Sequence, residues 1–143
     1  MDEKDKGFTL VELLVVMIII GILAAIAIPV FMNQRKKAVD TAARSDVSTI
    51  GKEIATYYVD ATAPLVPGKV VLDGGRYKIN DVDAGKNSNG VSAPTLTQGG
   101  TDVATASQNW CVQVTVTGGT KANVSYSAQN GLQDTACTAT PAP

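Results

Sequence analysis

One stretch limits the folds open to this chain more than any other. Leu13 to Met32 reads "LLVVMIIIGILAAIAIPVFM", twenty residues without a charge. At about 1.5 Å of rise per helical residue it is roughly 30 Å long, the thickness of a bilayer's hydrocarbon core. A secretory signal peptide has a positive front, a shorter apolar stretch and a small-residue cleavage site after it. Here the front reads "MDEKDKG", mixed in charge, and small-residue sites near Ala24 to Ala27 fall inside the run. The segment therefore reads as a membrane-spanning helix.

Glu12 stands at the head of that run. An isolated Asp or Lys at the centre of a membrane helix costs about 2.5–3.5 kcal/mol on the insertion scale, and a glutamate near the end costs less. A tolerated cost of this kind marks a function, so the partner of Glu12 is the question. The plain alternative is a side chain that snorkels to the cytoplasmic headgroups. Flanking charge leaves orientation nearly tied, with Lys4, Lys6 and the α-amine on one side and Arg35, Lys36 and Lys37 on the other. Cys111 and Cys137 break the tie. They permit one intramolecular pair, which stabilises by roughly 3–4 kcal/mol in the chain-entropy model; two separate reduced thiols are the alternative. A disulfide places the C-terminal part outside the cytoplasm and residues 1–7 inside it.

The chain's net charge is −1 and it has no histidine. Without a basic tract beyond Arg35-Lys36-Lys37 there is no strong nucleic-acid signal. Without histidine the commonest general base, the Ser-His and Cys-His nucleophile pairs and most zinc sites are gone. The reading is of a non-enzyme with no catalytic residues, no metal site and no cofactor.

The residues "KGFTLVELLVVMIIIGILAAIAIPVF" carry a resemblance. A basic residue, Gly, Phe, Thr-Leu-hydrophobic-Glu and then an apolar helix resemble the class III signal peptide and N-terminal methylation motif of type IV prepilins. The likeness covers residues 6–35, about a fifth of the chain. It implies that a prepilin peptidase cuts between Gly7 and Phe8 and methylates the new amine of Phe8. Thr9, Leu10 and Glu12 then hold their motif positions, and Gly21 and Pro29 the family's helix-weakening positions. It further implies an assembly ATPase, membrane platform proteins and a homopolymeric filament. The precursor would be a single-pass cytoplasmic-membrane protein with its head outside, and the assembled form an extracellular pilus. Asp2, Glu3 and Asp5 make the leader more acidic than is typical of the family.

This resemblance supplies a partner for Glu12. Cleavage creates an α-ammonium on Phe8, and in the filament Glu12 of one subunit faces the Phe8 amine of its neighbour. Two charges unfavourable in lipid alone become tolerable as a pair, and the pairing sets axial stagger. Pro29 lacks the N–H that should bond to Ala25, and Gly21 favours local unwinding by about 1 kcal/mol relative to Ala. Losing the leader removes three of thirteen acids and two of twelve bases, leaving ten of each and no net charge against self-association.

Past Met32, Val39, Ala43, Val47, Ile50, Ile54 and Tyr57 recur at intervals of four, four, three, four and three. That is the stripe of an amphipathic helix packed on a sheet. Arg35, Lys36, Asp40, Arg44, Asp46 and Lys52 fall away from it. One helix is expected over about 9–61. Beyond Pro64, "KVVLDGGRYKI" signals a hairpin around Asp73-Gly74-Gly75. Trp110, Val112, Val114 and Val116 alternate with polar residues as in a half-buried strand, turned by Gly118-Gly119 and returning through Val124 and Tyr126.

Residues 80–107 lack a clear pattern and read as a long loop. Asp81, Asp83, Asn87 and Asn89 offer calcium-type oxygens, but Gly85 takes a ligand position and no closing glutamate follows, so a solvated turn is the better reading. Asn123-Val124-Ser125 is a glycosylation triplet set on a strand, and Thr138 to Pro143 a tail open to O-glycans.

The expected class is α+β: a long N-terminal helix, its first half transmembrane, on a small antiparallel sheet. The expected segments are a leader (1–7), a filament-core half-helix (8–32), an amphipathic half-helix (33–63) and a β head (64–143). Two other roles remain: a pseudopilin of a secretion system or competence pilus, or an anchored binding domain that keeps residues 1–7.

Overall fold

The computed structural model describes residues 7–138; the leader's charges at 2–6 and the tail at 139–143 lie outside the described residues. The chain divides into two units, Met1–Arg35 and Lys36–Pro143. Helix α1 spans Leu10–Tyr57 and is unbroken at Gly21 and at Pro29. Its N-terminal part is long and apolar enough to cross a membrane, with none of that window buried. Such a surface is stable only under a cover of lipid or protein.

The second part of α1 behaves as its stripe predicts. Ala43, Val47, Ile50 and Ile54 are wholly buried, and Val39 and Tyr57 pack at the margin of the same core. Each larger aliphatic side chain stabilises by about 1.5–3 kcal/mol when fully buried. The helix stops at Tyr57, short of the expected Ala61. Two tyrosines account for the difference. Tyr57 Oη donates to the Ala63 carbonyl at 2.9 Å; Tyr58 Oη donates to Gln98 Oε1 at 2.7 Å and accepts from the Leu65 N–H at 3.1 Å. These bonds tie the chain leaving the helix back onto its last turn, well before Pro64 would have ended it.

The head holds two antiparallel sheets, where one was expected. The first is a meander of β1 (Val70–Asp73), β2 (Arg76–Ile79) and β3 (Val82–Lys86). Gly74 and Gly75 sit at φ of 59° and 75°, the left-handed pair that a two-residue hairpin turn requires. Asn80 and Asp81, at φ of 48° and 67°, make the next turn of the same length. The second sheet orders β4 (Thr95–Gln98), β5 (Trp110–Thr115), β6 (Asn123–Ser127) and β7 (Gly131–Gln133). Along β5, Trp110, Val112 and Val114 face the core while Cys111 and Gln113 are half-buried. Trp110 stacks on Tyr126 with ring centroids 6.1 Å apart.

The long loop expected over 80–107 is replaced by β3, β4 and the short helix α2 (Val103–Gln108). Each hides from a pattern search for a physical reason. Strand β3 buries only Ala84 and β4 only Leu96, so neither shows an apolar face. Helix α2 has six residues and depends on Asp102, whose side chain accepts from the Thr105 N–H.

Candidate assembly site

Gly7, Phe8 and Thr9 precede the first helical residue, and Phe8 is 84% exposed. The Gly7–Phe8 peptide therefore lies outside the helix. Thr9 and Glu12 close a reciprocal cap: the Thr9 N–H donates to Glu12 Oε2 at 2.8 Å, and the Glu12 N–H donates to Thr9 Oγ1 at 3.2 Å. This capping box satisfies two backbone donors that a helix start otherwise leaves open. Its signature, Thr-x-x-Glu, is plain in the sequence. Glu12 thus has a partner in its own chain in addition to the neighbour's amine that the sequence reading assigns to it.

In the second unit, α1 carries two buried carboxylates that hold the head. Asp40, 7% exposed, accepts from the Thr120 N–H at 2.9 Å, the Lys121 N–H at 3.1 Å and Thr120 Oγ1. Asp46, 8% exposed, accepts from Tyr77 Oη, the Ser88 N–H and Ser88 Oγ, each at 2.8 Å. The sequence reading set both aspartates on the polar face, and the structure corrects it. Each lies one residue from a stripe position, at the edge where the helix meets the loops.

The electrostatics follow from these contacts. Burial disfavours the charged form of Asp40, but the Thr120 hydroxyl and the Lys121 and Thr120 N–H groups outweigh it, so its pKa lies below the ordinary 3.8. Burial, with the hydrogen bond and charge of Asp46, pushes the Tyr77 hydroxyl well above the usual phenol range. Arg44 pairs in fork geometry with Asp134, close to the end of the described chain.

Cys111 and Cys137 are joined in a disulfide with Cα atoms 5.9 Å apart. The Cys137 N–H also donates to Gln113 Oε1 at 2.8 Å. The disulfide and the Arg44–Asp134 pair hold the segment after β7, which is otherwise poor in apolar residues. Asp81 and Asp83 go to different cations, Lys69 and Arg76. Among the described residues no three potential metal ligands come together. Ser125 of the glycosylation triplet is wholly buried on β6, and Asn123 Oδ1 accepts from Thr115 Oγ1 at 3.4 Å.

A family model described as the prokaryotic N-terminal methylation motif matches residues 3–28. The chain thus carries the processing signature, and its resemblance to type IV pilins holds. It is 38% identical over 83 residues to a fimbrial protein of Pseudomonas aeruginosa, covering 58% of this chain and 49% of that one. It is 44% identical over 69 residues to the type IV major fimbrial protein FimA of Dichelobacter nodosus, covering 48% and 40%. It is 35% identical over 60 residues to the type II secretion system core protein G of Dickeya chrysanthemi, covering 42% and 39%. The chain spans under half the length of each of these relatives. No solved structure matches it significantly. These relatives are named as fimbrial proteins or as a secretion core protein, not as enzymes.

Proposed function

We propose that this chain is a structural subunit that polymerises into an extracellular type IV pilus. A prepilin peptidase cuts between Gly7 and Phe8 and methylates Phe8. An assembly ATPase and membrane platform proteins then draw the subunit out of the cytoplasmic membrane, where its N-terminus is cytoplasmic and its head outside. Residues 8–32 leave lipid for the filament core, and Gly21 and Pro29 let that part of α1 stretch as it does so. Glu12 pairs with the Phe8 amine of the adjoining copy.

One observation carries the reading: an exposed apolar helix start whose sole acid, Glu12, stands two residues inside the helix and four residues past Phe8 of the Gly7–Phe8 junction. Shearing cells and analysing the released material tests it. The expected result is filaments containing this chain with a methylated Phe8 at the N-terminus. A chain that retains residues 1–7 and never leaves the membrane overturns it. The likeness to type II secretion core protein G favours a second reading, a pseudopilus subunit. In that case processing is the same but no long surface filament is released.

A further inference from the structure

The basic collar of α1, Lys36 and Lys37, lacks an ion-pair partner among the described residues. Both lysines are exposed. Their natural partner on the helix is Asp40, a turn further on. Both oxygens of Asp40 are turned instead to Thr120 and Lys121. Arg44, the next cation, is committed to Asp134.

The far end of the same helix shows the converse. Glu53 is half-buried and Asp60 exposed, and neither is ion-paired among the described residues. One turn away from Glu53 stand Thr49 and Tyr57, which supply no cation, and adjacent Lys52 points to a different side. Both acids line a shallow groove with Thr56, Tyr57, Ile79 and Val82. Its apolar floor suits the methylene stem of a lysine and its rim suits the ammonium.

We infer that this groove receives a second copy of the chain, whose Lys37, flanked by Lys36, sits against Glu53 and Asp60. The inference rests on the filament reading above and adds a contact to it. Lys37 and Glu53 are sixteen residues apart on α1, about 24 Å along the axis and about 160° around it. Copies stacked side by side in one orientation meet through opposite faces, so this angular separation lets one helix present the cation while its neighbour presents the acid. The Phe8–Glu12 pairing links positions four residues apart, about 6 Å of helix. The two pairings therefore belong to different neighbours, and the polymer uses at least two staggers.

A charge exchange in the full chain, expressed in piliated cells, tests this. Lys37→Glu and Glu53→Lys should each cut sheared-filament yield at least about tenfold while Phe8 processing and membrane insertion stay normal. The doubly exchanged chain should recover to within about twofold of the parent. Normal yield from either single exchange, or a double exchange no better than the singles, overturns the inference. In a chain with Lys37→Cys and Glu53→Cys, oxidation of intact filaments should give a ladder of covalent oligomers; monomer alone overturns it. If Lys37→Glu loses only binding to phosphatidylglycerol vesicles and assembles normally, the collar is a headgroup anchor and the inference falls. A parent that keeps residues 1–7 and forms no filament overturns the filament reading itself.

Discussion

Replacing Asp46 by alanine removes a carboxylate that hydrogen-bonds α1 to both β2 and the turn after β3. Tyr77 is 1% exposed, so its hydroxyl has no water to replace the lost acceptor at 2.8 Å. A hydrogen bond to a charged acceptor contributes about 1.5–3 kcal/mol, and the figure applies nearly in full to Tyr77. Ser88 is half-buried and hydrates in part, so its two bonds together add only about 1 kcal/mol. The total is about 3–4 kcal/mol, which at about 4 °C per kcal/mol for a unit of this size lowers the melting temperature by roughly 12–16 °C. Asp46→Asn keeps the volume, can still accept from Tyr77 Oη and the Ser88 N–H through its carbonyl and donate to Ser88 Oγ, and loses the acceptor's charge, so it should cost about half as much. Thermal melts of the detergent-solubilised chain by circular dichroism supply the measurement. Ser45→Ala, on an exposed neighbour, is the control and should stay within about 0.5 kcal/mol of the parent. If Asp46→Ala melts within about 2 °C of the parent, the carboxylate does not hold the head and the reasoning is refuted.

Asp40 gives a pH signature. Its folded pKa lies below the ordinary 3.8, so its stabilisation is complete above that value and is lost as pH falls through the folded pKa. The stability gap between the parent and Asp40→Asn should be largest near neutrality and close at acid pH. A pH-independent gap assigns the effect to packing. Gly51→Ala sets two terms against each other. The better helix former gains about 1 kcal/mol, but the new methyl would collide with Cγ and Cδ1 of Tyr126. Overpacking costs about 1–3 kcal/mol, so the variant should melt lower in the same assay. Converting both Cys111 and Cys137 to serine should cost roughly 2–4 kcal/mol. It should also speed protease cleavage after β7, and an unchanged cleavage rate would mean that Arg44–Asp134 alone secures that segment.

The features that were legible in the sequence share a cause: burial of several apolar side chains on one face. The stripe from Val39 to Tyr57, the alternation at Trp110–Val114 and the hairpin at Gly74-Gly75 all leave such a trace. Polar contacts between distant segments leave none. Nothing local marks Asp40 as the acceptor for Thr120, or Asp46 as the partner of Tyr77 and Ser88, because the partners they bind lie 31 to 80 positions away. Strands β3 and β4 each bury one residue, and the end of α1 is set by tyrosine hydroxyls reaching forward to Ala63 and Gln98. The Thr9–Glu12 cap differs, since its two partners lie three residues apart and its Thr-x-x-Glu spacing is visible in the sequence.

That cap sharpens the question about Glu12. Its Oε2 is engaged within its own chain, and the proposal needs the same carboxylate to meet a neighbour's cation as well. An atomic map of the assembled polymer decides the matter. The account predicts Glu12 shielded from solvent, with a carboxylate oxygen within about 4 Å of the Phe8 amine of an adjoining subunit. A Glu12 that touches only Thr9 of its own chain, with every Phe8 amine elsewhere, contradicts it.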